Sequence, residues 1–407
     1  MNKYLLKSLM ALLGISIVIT AQPLDLTDQI SPMFIIPNQQ EGYGAGKRQL
    51  AQPNDLEILL DGSLLISDMK NNRIQYFSAK QALKKSITAW QLNLDNFEII
   101  PTGIARDDSG FIYISLEGAG KIIRFTPQLQ FDQFIGTPCE ISAEEYYKQK
   151  NQTCLINPQG IIVSNRGDVF VIDMAKEVFT EGKKQNFGFK KFRKIIDSGI
   201  THYIFDQDFA KTQEITTIMR SSDGMAISES QELLFIAEEK PEKKVFGNIH
   251  KKCFIAVFDL ATGKFKNRLI GVSKRQGKII NGYFDDSVRG LCVQGSLLFA
   301  VAGKQGQVYV FNINTGEALA KWGTPAPYYC DAKSKCKFDG INYNEPSIIT
   351  GEALPHLMNN WEKNELASPN AVSVTQFKDG RRRLAVIDQW NSRILVYNLD
   401  LIYSLID

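Results

Sequence analysis

Past residue 50 the chain alternates short apolar runs with turn residues, and the arrangement recurs. The best preserved copy reads Gln52-Pro53-Asn54-Asp55-Leu56-Glu57-Ile58-Leu59-Leu60, a turn at Asp61-Gly62, Leu64-Leu65-Ile66-Ser67-Asp68, and then Asn71-Asn72-Arg73-Ile74-Gln75-Tyr76-Phe77. Runs of this length, closed by Gly, Asn and Asp, predict three short strands joined by tight turns. A second copy has Pro101-Thr102-Gly103-Ile104-Ala105, Ser109-Gly110 and Phe111 to Ser115. A third has Pro158-Gln159-Gly160-Ile161-Ile162-Val163, Arg166-Gly167 and Val169 to Asp173. Looser copies open at Ser222-Asp223-Gly224, Val288-Arg289-Gly290 and Pro369-Asn370-Ala371, so the units begin near residues 53, 101, 158, 222, 288 and 369.

A lone sheet of this size cannot bury both of its faces, so consecutive sheets must stack around an axis and close on themselves. The pattern therefore predicts an all-β fold, a six-bladed β-propeller with four-stranded antiparallel blades, over residues 22–407. Glycine follows the variable residue in most copies, as at Gly103 and Gly290, which suits inner strands that crowd the axis. Asp55 and Ala371 take its place in the first and last units. Two segments compete to supply the outer strand that closes the ring, Pro32 to Ile36 and Leu399 to Leu405.

Residues 1–21 follow a different pattern. Lys3 and Lys7 lead into a nearly unbroken apolar run, Ser8 to Ile19, and Ile19-Thr20-Ala21 ends on a small residue. This is the layout of a secretory signal peptide. The run is shorter than the roughly 20 residues that span a bilayer, so the expected product is a secreted mature chain with no membrane span.

Export changes how the composition reads. Losing Lys3 and Lys7, and no acid, takes the net charge from +3 to +1, without the basic surplus of a dedicated nucleic-acid binder. Six cysteines fit an oxidising compartment. Cys139 with Cys154, and Cys330 with Cys336, are the expected disulfides, while Cys253 and Cys292 read equally as buried free thiols or a third bridge. Asn151-Gln152-Thr153 is a glycosylation sequon inside the first disulfide loop.

The first-to-second and third-to-fourth turns are tight, and the length goes elsewhere. Met174 to Phe192 and Glu239 to Lys252 follow second strands; Thr137 to Asn157, Val272 to Ser287 and Thr324 to Ser368 join blades. In a propeller these two connection classes emerge on one face, and loops of such length are usually functional or disordered. That face is the expected binding surface for a protein, peptide or glycan. Asn54, Thr102, Gln159, Asp223, Arg289 and Asn370 should ring the channel mouth there, a polar set suited to a small ligand or simply to water. Two basic stretches, Lys183, Lys184, Lys190, Lys191 and Arg193 beside Phe187, Phe189 and Phe192, and Lys243 with Lys244, would meet an anionic partner or form a solvated hairpin. Export argues against nucleic acid in that role.

The elements P-x-G-I-A, D-G-x-L-x-V-x-D and N-x-R-I-x-V-F resemble NHL repeats. Asp68-Met69-Lys70-Asn71-Asn72-Arg73 and Asp388-Gln389-Trp390-Asn391-Ser392-Arg393 keep the D-x-x-N-x-R element, which Leu116, Ala119 and Lys121 replace in the second unit. The resemblance implies the propeller and leaves function open among enzymes and scaffolds. The enzymes it suggests are the amidating lyase of peptide hormone maturation and the paraoxonase, strictosidine-synthase and gluconolactonase relatives, several of which need a channel metal. The lyase carries histidine where this chain has Thr102 or Gln159, and His202, His250 and His356 all lie away from that motif place. No histidine metal site and no cofactor are therefore expected. Calcium held by Asp68, Asp173, Glu238 and Asp388 is the rival to a structural role for those acids in the turn. With no G-x-S-x-G elbow, no catalytic residue is assigned. The sequence thus favours a secreted, non-catalytic binding scaffold, with a metal-dependent lyase or hydrolase acting at the channel mouth as the alternative.

Overall fold

The computed structural model describes residues 22–38, 44–92, 94, 98–139, 154–174, 178–180, 183–185, 188–219, 222, 224–238, 243–245, 248–250, 253–275, 278–284, 287–303, 305–325 and 364–406. The first apolar runs form the inner strands Leu56–Ile58, Pro101–Arg106, Pro158–Val163, Met225–Ser228, Val288–Gln294 and Pro369–Gln376. Each pairs antiparallel with a second strand, and a third and fourth follow outward, as in Leu64–Asp68, Arg73–Phe77 and Leu83–Ile87 of blade one. Each inner strand packs against those of the blades before and after it, including blade six against blade one. The chain is a six-bladed β-propeller.

The second strands show why the fold is legible. Leu64–Asp68, Ile112–Leu116, Val169–Asp173, Leu233–Ala237 and Leu297–Ala302 are buried along their whole length. A strand sandwiched between two neighbouring blades is covered on both faces, so it reads as a continuous apolar run. Among the described residues the core is correspondingly split into six clusters, one at each blade junction. Glycines sit where inner strands nearly touch: a Cβ on Gly224 would lie 1.5 Å from the Arg289 carbonyl oxygen, and one on Gly290 2.5 Å from Ala371 Cα.

The amino-terminal candidate closes the ring. Phe34–Ile36 pairs antiparallel with Arg393–Asn398 as the outer strand of blade six. Leu399 onward is instead a helix, α3 (Leu399–Ile406), which buries Leu399 and Ile402. Blade five departs from four antiparallel strands, because Leu24–Asp25 adds a fifth that runs parallel to Ala318–Trp322. Two short helices, α1 (Gln207–Thr212) and α2 (Ile215–Ile218), lie between blades three and four and bury Phe209 and Ile215 against them.

The connections sort by face. Tight turns such as Asp61-Gly62 and Thr262-Gly263 make up most of one face, past which the third and fourth strands of blade three, Gly188–Asp197 and Ile200–Phe205, project as a hairpin. The other carries the insertions, three of which fold as hairpins: Val178–Thr180 with Lys183–Gln185, Lys243–Val245 with Asn248–His250, and Val272–Arg275 with Lys278–Gly282. Two more are pinned at their roots by short parallel pairs, Thr137–Pro138 with Cys154–Leu155, and Thr324–Pro325 with Glu365–Leu366. Cys139 and Cys154 are bridged across 15 residues of sequence; Cys253 is buried, and Cys292 is a half-buried thiol. Cys330, Cys336 and Asn151 lie outside the described residues. Among the described residues no helix is long and apolar enough to cross a membrane.

Candidate functional site

Asp68, Asp173 and Asp388, which end second strands, are absorbed by the fold. Asp68 accepts from Ala51 N (2.8 Å), Asn71 Nδ2 (2.8 Å), Arg73 Nε (2.7 Å) and Gln75 Nε2 (2.9 Å). Asp388 repeats the arrangement with Ala367 N (2.6 Å), Asn391 Nδ2 (2.7 Å) and Arg393 Nε (2.9 Å). Asp173 accepts from the Ile156 and Asn157 amides, and Lys190 takes the guanidinium's part. Each carboxylate thus ties the chain entering its blade to the start of the third strand, which is the structural role set against calcium above. Burial pushes the Asp68 and Asp388 carboxyls above the ordinary range, against the pull of their donors.

Four of the mouth residues are joined into a network, in which Gln389 and the Pro158 carbonyl also take part. Asn370 Nδ2 donates to the Asn54 carbonyl oxygen (2.7 Å) and to Asn54 Oδ1 (3.2 Å). Arg289 Nη1 donates to Asn370 Oδ1 (2.7 Å) and Gln389 Oε1 (3.1 Å), and Gln389 Nε2 returns to Asn54 Oδ1 (3.2 Å). Asn54 Nδ2 reaches the Thr102 carbonyl (3.2 Å), and Thr102 Oγ1 reaches that of Pro158 (2.9 Å). Gln159 hydrogen-bonds Glu117, whose carboxyl is raised by burial and lowered in part by Gln159 and Lys70. Four of the six expected positions, Asn54, Thr102, Arg289 and Asn370, are therefore brought together, Gln159 is held by Glu117 instead, and Asp223 lies outside the described residues. Gln389 and Glu117 were missed, although Gln389 sits inside the D-x-x-N-x-R element.

The basic set does not form one surface. The third strand of blade three is Gly188–Asp197, so it begins inside the segment read as an insertion. Lys190 is buried, 3.4 Å from Asp173 Oδ2 and donating to the Cys154 carbonyl. Lys191 is buried between Asp168 and Asp206, 3.3 Å from each, over the rings of Phe170 and Phe209. Arg193 is exposed but lies past Phe192, which pairs with the first residue of the second strand, and so belongs to the turn face. Phe189 and Phe192 are core residues and offer no stacking surface. Lys183, Lys184, Lys243 and Lys244 do lie in insertion hairpins.

Inside the mouth, the six inner strands enclose a channel of about 220 Å³. Asp55, standing at the glycine place, accepts from Ile104 N of blade two (2.7 Å). Glu57 links three blades, accepting from Arg106 Nε (3.1 Å) and Ser373 Oγ (3.1 Å). Burial raises the Glu57 carboxyl, partly offset by Arg106 and Ser373. Burial, with the Glu57 and Asp55 charges, pushes the Cys292 thiol up to about 12, too high for a ready nucleophile. Glu57, Arg106 and Ser373 are not singled out in the sequence, where Asp55 is noted only as the residue at the glycine place and Cys292 only for its redox state. Their signal was a charged or polar residue interrupting an inner apolar run, as Glu57 does between Leu56 and Ile58.

Comparison with known proteins gives no family: no family model and no curated protein matches the chain. Solved structures do match. The chain is similar to a gluconolactonase from Xanthomonas campestris, at 11% identity and a TM-score of 0.46 over 91% of this chain and 96% of that one. It is similar to a streptogramin B lyase, at 12% identity and a TM-score of 0.42 over 90% and 97%. A chain of a nidogen/laminin complex matches at 12% identity and a TM-score of 0.40 over 72% and 90%.

Proposed function

We propose that the protein is a secreted propeller of the NHL type that acts as a non-catalytic scaffold, binding a protein, peptide or glycan through its insertion-bearing face. The observation that carries this reading is the asymmetry of the two faces. Three hairpins and two root-pinned insertions all leave on the side of the polar mouth network; the other side consists of tight turns except at blade three, whose third and fourth strands run on past it as a hairpin over residues 193–204. Binding residues collect on loops held by a rigid scaffold, and a closed ring of interlocked blades is such a scaffold. The hairpins raise Lys183, Lys184, Lys243 and Lys244 on that side, which favours a partner with an anionic patch.

The test uses the full chain expressed with its own amino terminus and recovered from medium. Residues 178–185 and 243–250 are each replaced by a short Gly-Ser link, and binding to cell surfaces and matrix is compared with that of Arg381→Ala on the turn face. Binding lost in both shortened variants at unchanged Tm, and retained in Arg381→Ala, is the expected result. Retention in the shortened variants, or a chain that stays in the cell with residues 1–21 attached, would sink the reading.

A further inference from the structure

The channel beneath the mouth network has two unlike walls. Its lining runs from Asn54 and Asn370, at the insertion-face end, to Asn165 and Glu229 in the first turns of blades three and four. At the first end the network of Asn54, Asn370, Arg289 and Gln389 lies across blades five, six and one. At the other end Asn165 is exposed, and its amide donates to Glu229 Oε1 (2.6 Å) at the rim. Blades three to five turn half-buried aliphatic side chains to the lumen, Ile162, Ile227 and Val293. Blades one, two and six contribute Asp55, Glu57, Arg106 and Ser373.

Charge decides what such a space would hold. Three carboxylates, Asp55, Glu57 and Glu229, line it against one guanidinium, and Arg106 is already engaged by Glu57. An ionised carboxylate has about four acceptor sites, and the contacts of Glu57 with Arg106 and Ser373 use one on each oxygen. Low-dielectric walls focus the field of these acids along the lumen. The volume suits roughly six to ten non-hydrogen atoms.

We infer that the channel is a binding pocket for a small amphipathic cation, a primary alkylammonium, entered from the turn face. The ammonium group docks on Glu57 and Asp55, the alkyl chain lies along Ile162, Ile227 and Val293, and Glu229 marks the entrance. This pocket is separate from the insertion-face surface proposed above and does not depend on it.

The probe is n-hexylammonium, titrated into the full chain by calorimetry, with hexanoate and 1-hexanol as equal-length controls. The expected result is saturable one-to-one binding of the cation, with hexanoate silent and 1-hexanol at least about tenfold weaker. Glu57→Gln should weaken the cation about tenfold and leave the alcohol unchanged. A second measurement needs no variant: the methyl NMR signals of Ile162 and Ile227 should move with the same titration curve. Asn165→Trp, on an exposed turn, should slow association. Absence of saturable binding, equal binding of hexanoate, or methyl shifts confined to residues outside the channel would overturn the pocket. An unchanged association rate in Asn165→Trp would overturn entry from the turn face.

Discussion

Asp388 and Arg393 are both fully buried and 2.9 Å apart. A buried pair gains little over an apolar substitute, because desolvating two charges offsets most of their attraction; breaking it is another matter, since the survivor keeps its charge and loses its partner. Asp388→Ala would also release Asn391 and the Ala367 amide. The variant should unfold in urea with about 3 to 5 kcal/mol less stability than wild type. Asp25→Ala serves as the control: that carboxylate is half exposed and 3.5 Å from Lys321, and such surface pairs contribute about 0 to 1 kcal/mol. Equal effects in the two variants would mean that the recurring turn acids do not hold the blades as their geometry implies.

Elements are fixed by contacts that short sequence windows do not contain. Asp206 caps α1, accepting from Phe209 N at 3.0 Å and lying 3.3 Å from Lys191 in the third strand of its own blade. Burial pushes its carboxyl up, but the Phe209 amide and Lys191 outweigh that and hold it below the ordinary range. A carboxylate more acidic in the folded than the unfolded state stabilises fully above its unfolded pKa and loses that contribution as pH falls through the folded one. Asp206→Ala should therefore cost about 1 kcal/mol at neutral pH. Its gap from wild type should close once the pH drops well below 3.8, as urea midpoints across an acid series would show; a gap constant with pH would mean that the carboxylate's charge is idle. The same contacts explain what the sequence concealed. Strand order was readable because second strands are doubly covered and so continuously apolar. Lys190 and Lys191 were read as surface residues because lysine is rarely buried, and their counter-charges, Asp173, Asp168 and Asp206, stand well away in sequence. The mouth positions were readable from the repeat, but their bonding was not, since Asn370 and Asn54 are 316 residues apart. Glu57 and Arg106, 49 residues apart, were hidden in the same way.

At the scale of the whole molecule, stability depends on closing the ring, and the segment from 22 to 36 does so on two blades at once. Leu24–Asp25 extends blade five, Leu26 and Ile30 enter the core between blades five and six beside Leu399 and Ile402, and Phe34–Ile36 completes blade six. Asn364 Nδ2 holds the segment between these points, donating to the Thr27 (3.0 Å) and Ile30 (2.8 Å) carbonyls. Leu26, Ile30, Ile35 and Ile36 are all buried, at about 1.5 to 3 kcal/mol per side chain. Together they rival the roughly 5 to 15 kcal/mol that stabilises a typical domain. A chain beginning at residue 37 should therefore fail to give a cooperative urea transition, and a synthetic peptide of residues 22–36 should restore one when added in excess. A chain beginning at Leu26 loses the exposed strand Leu24–Asp25 and, before it, Gln22 and the buried Pro23, but keeps Leu26, Ile30, Ile35 and Ile36, and should lose no more than about 1 to 2 kcal/mol against the longer form. If the chain from residue 37 matched the full protein's midpoint, closure would have to reside in the inner strands alone. Failure of the peptide to rescue an unfolded truncation would instead place the requirement in how the chain folds, with the covalent link bringing blade six home.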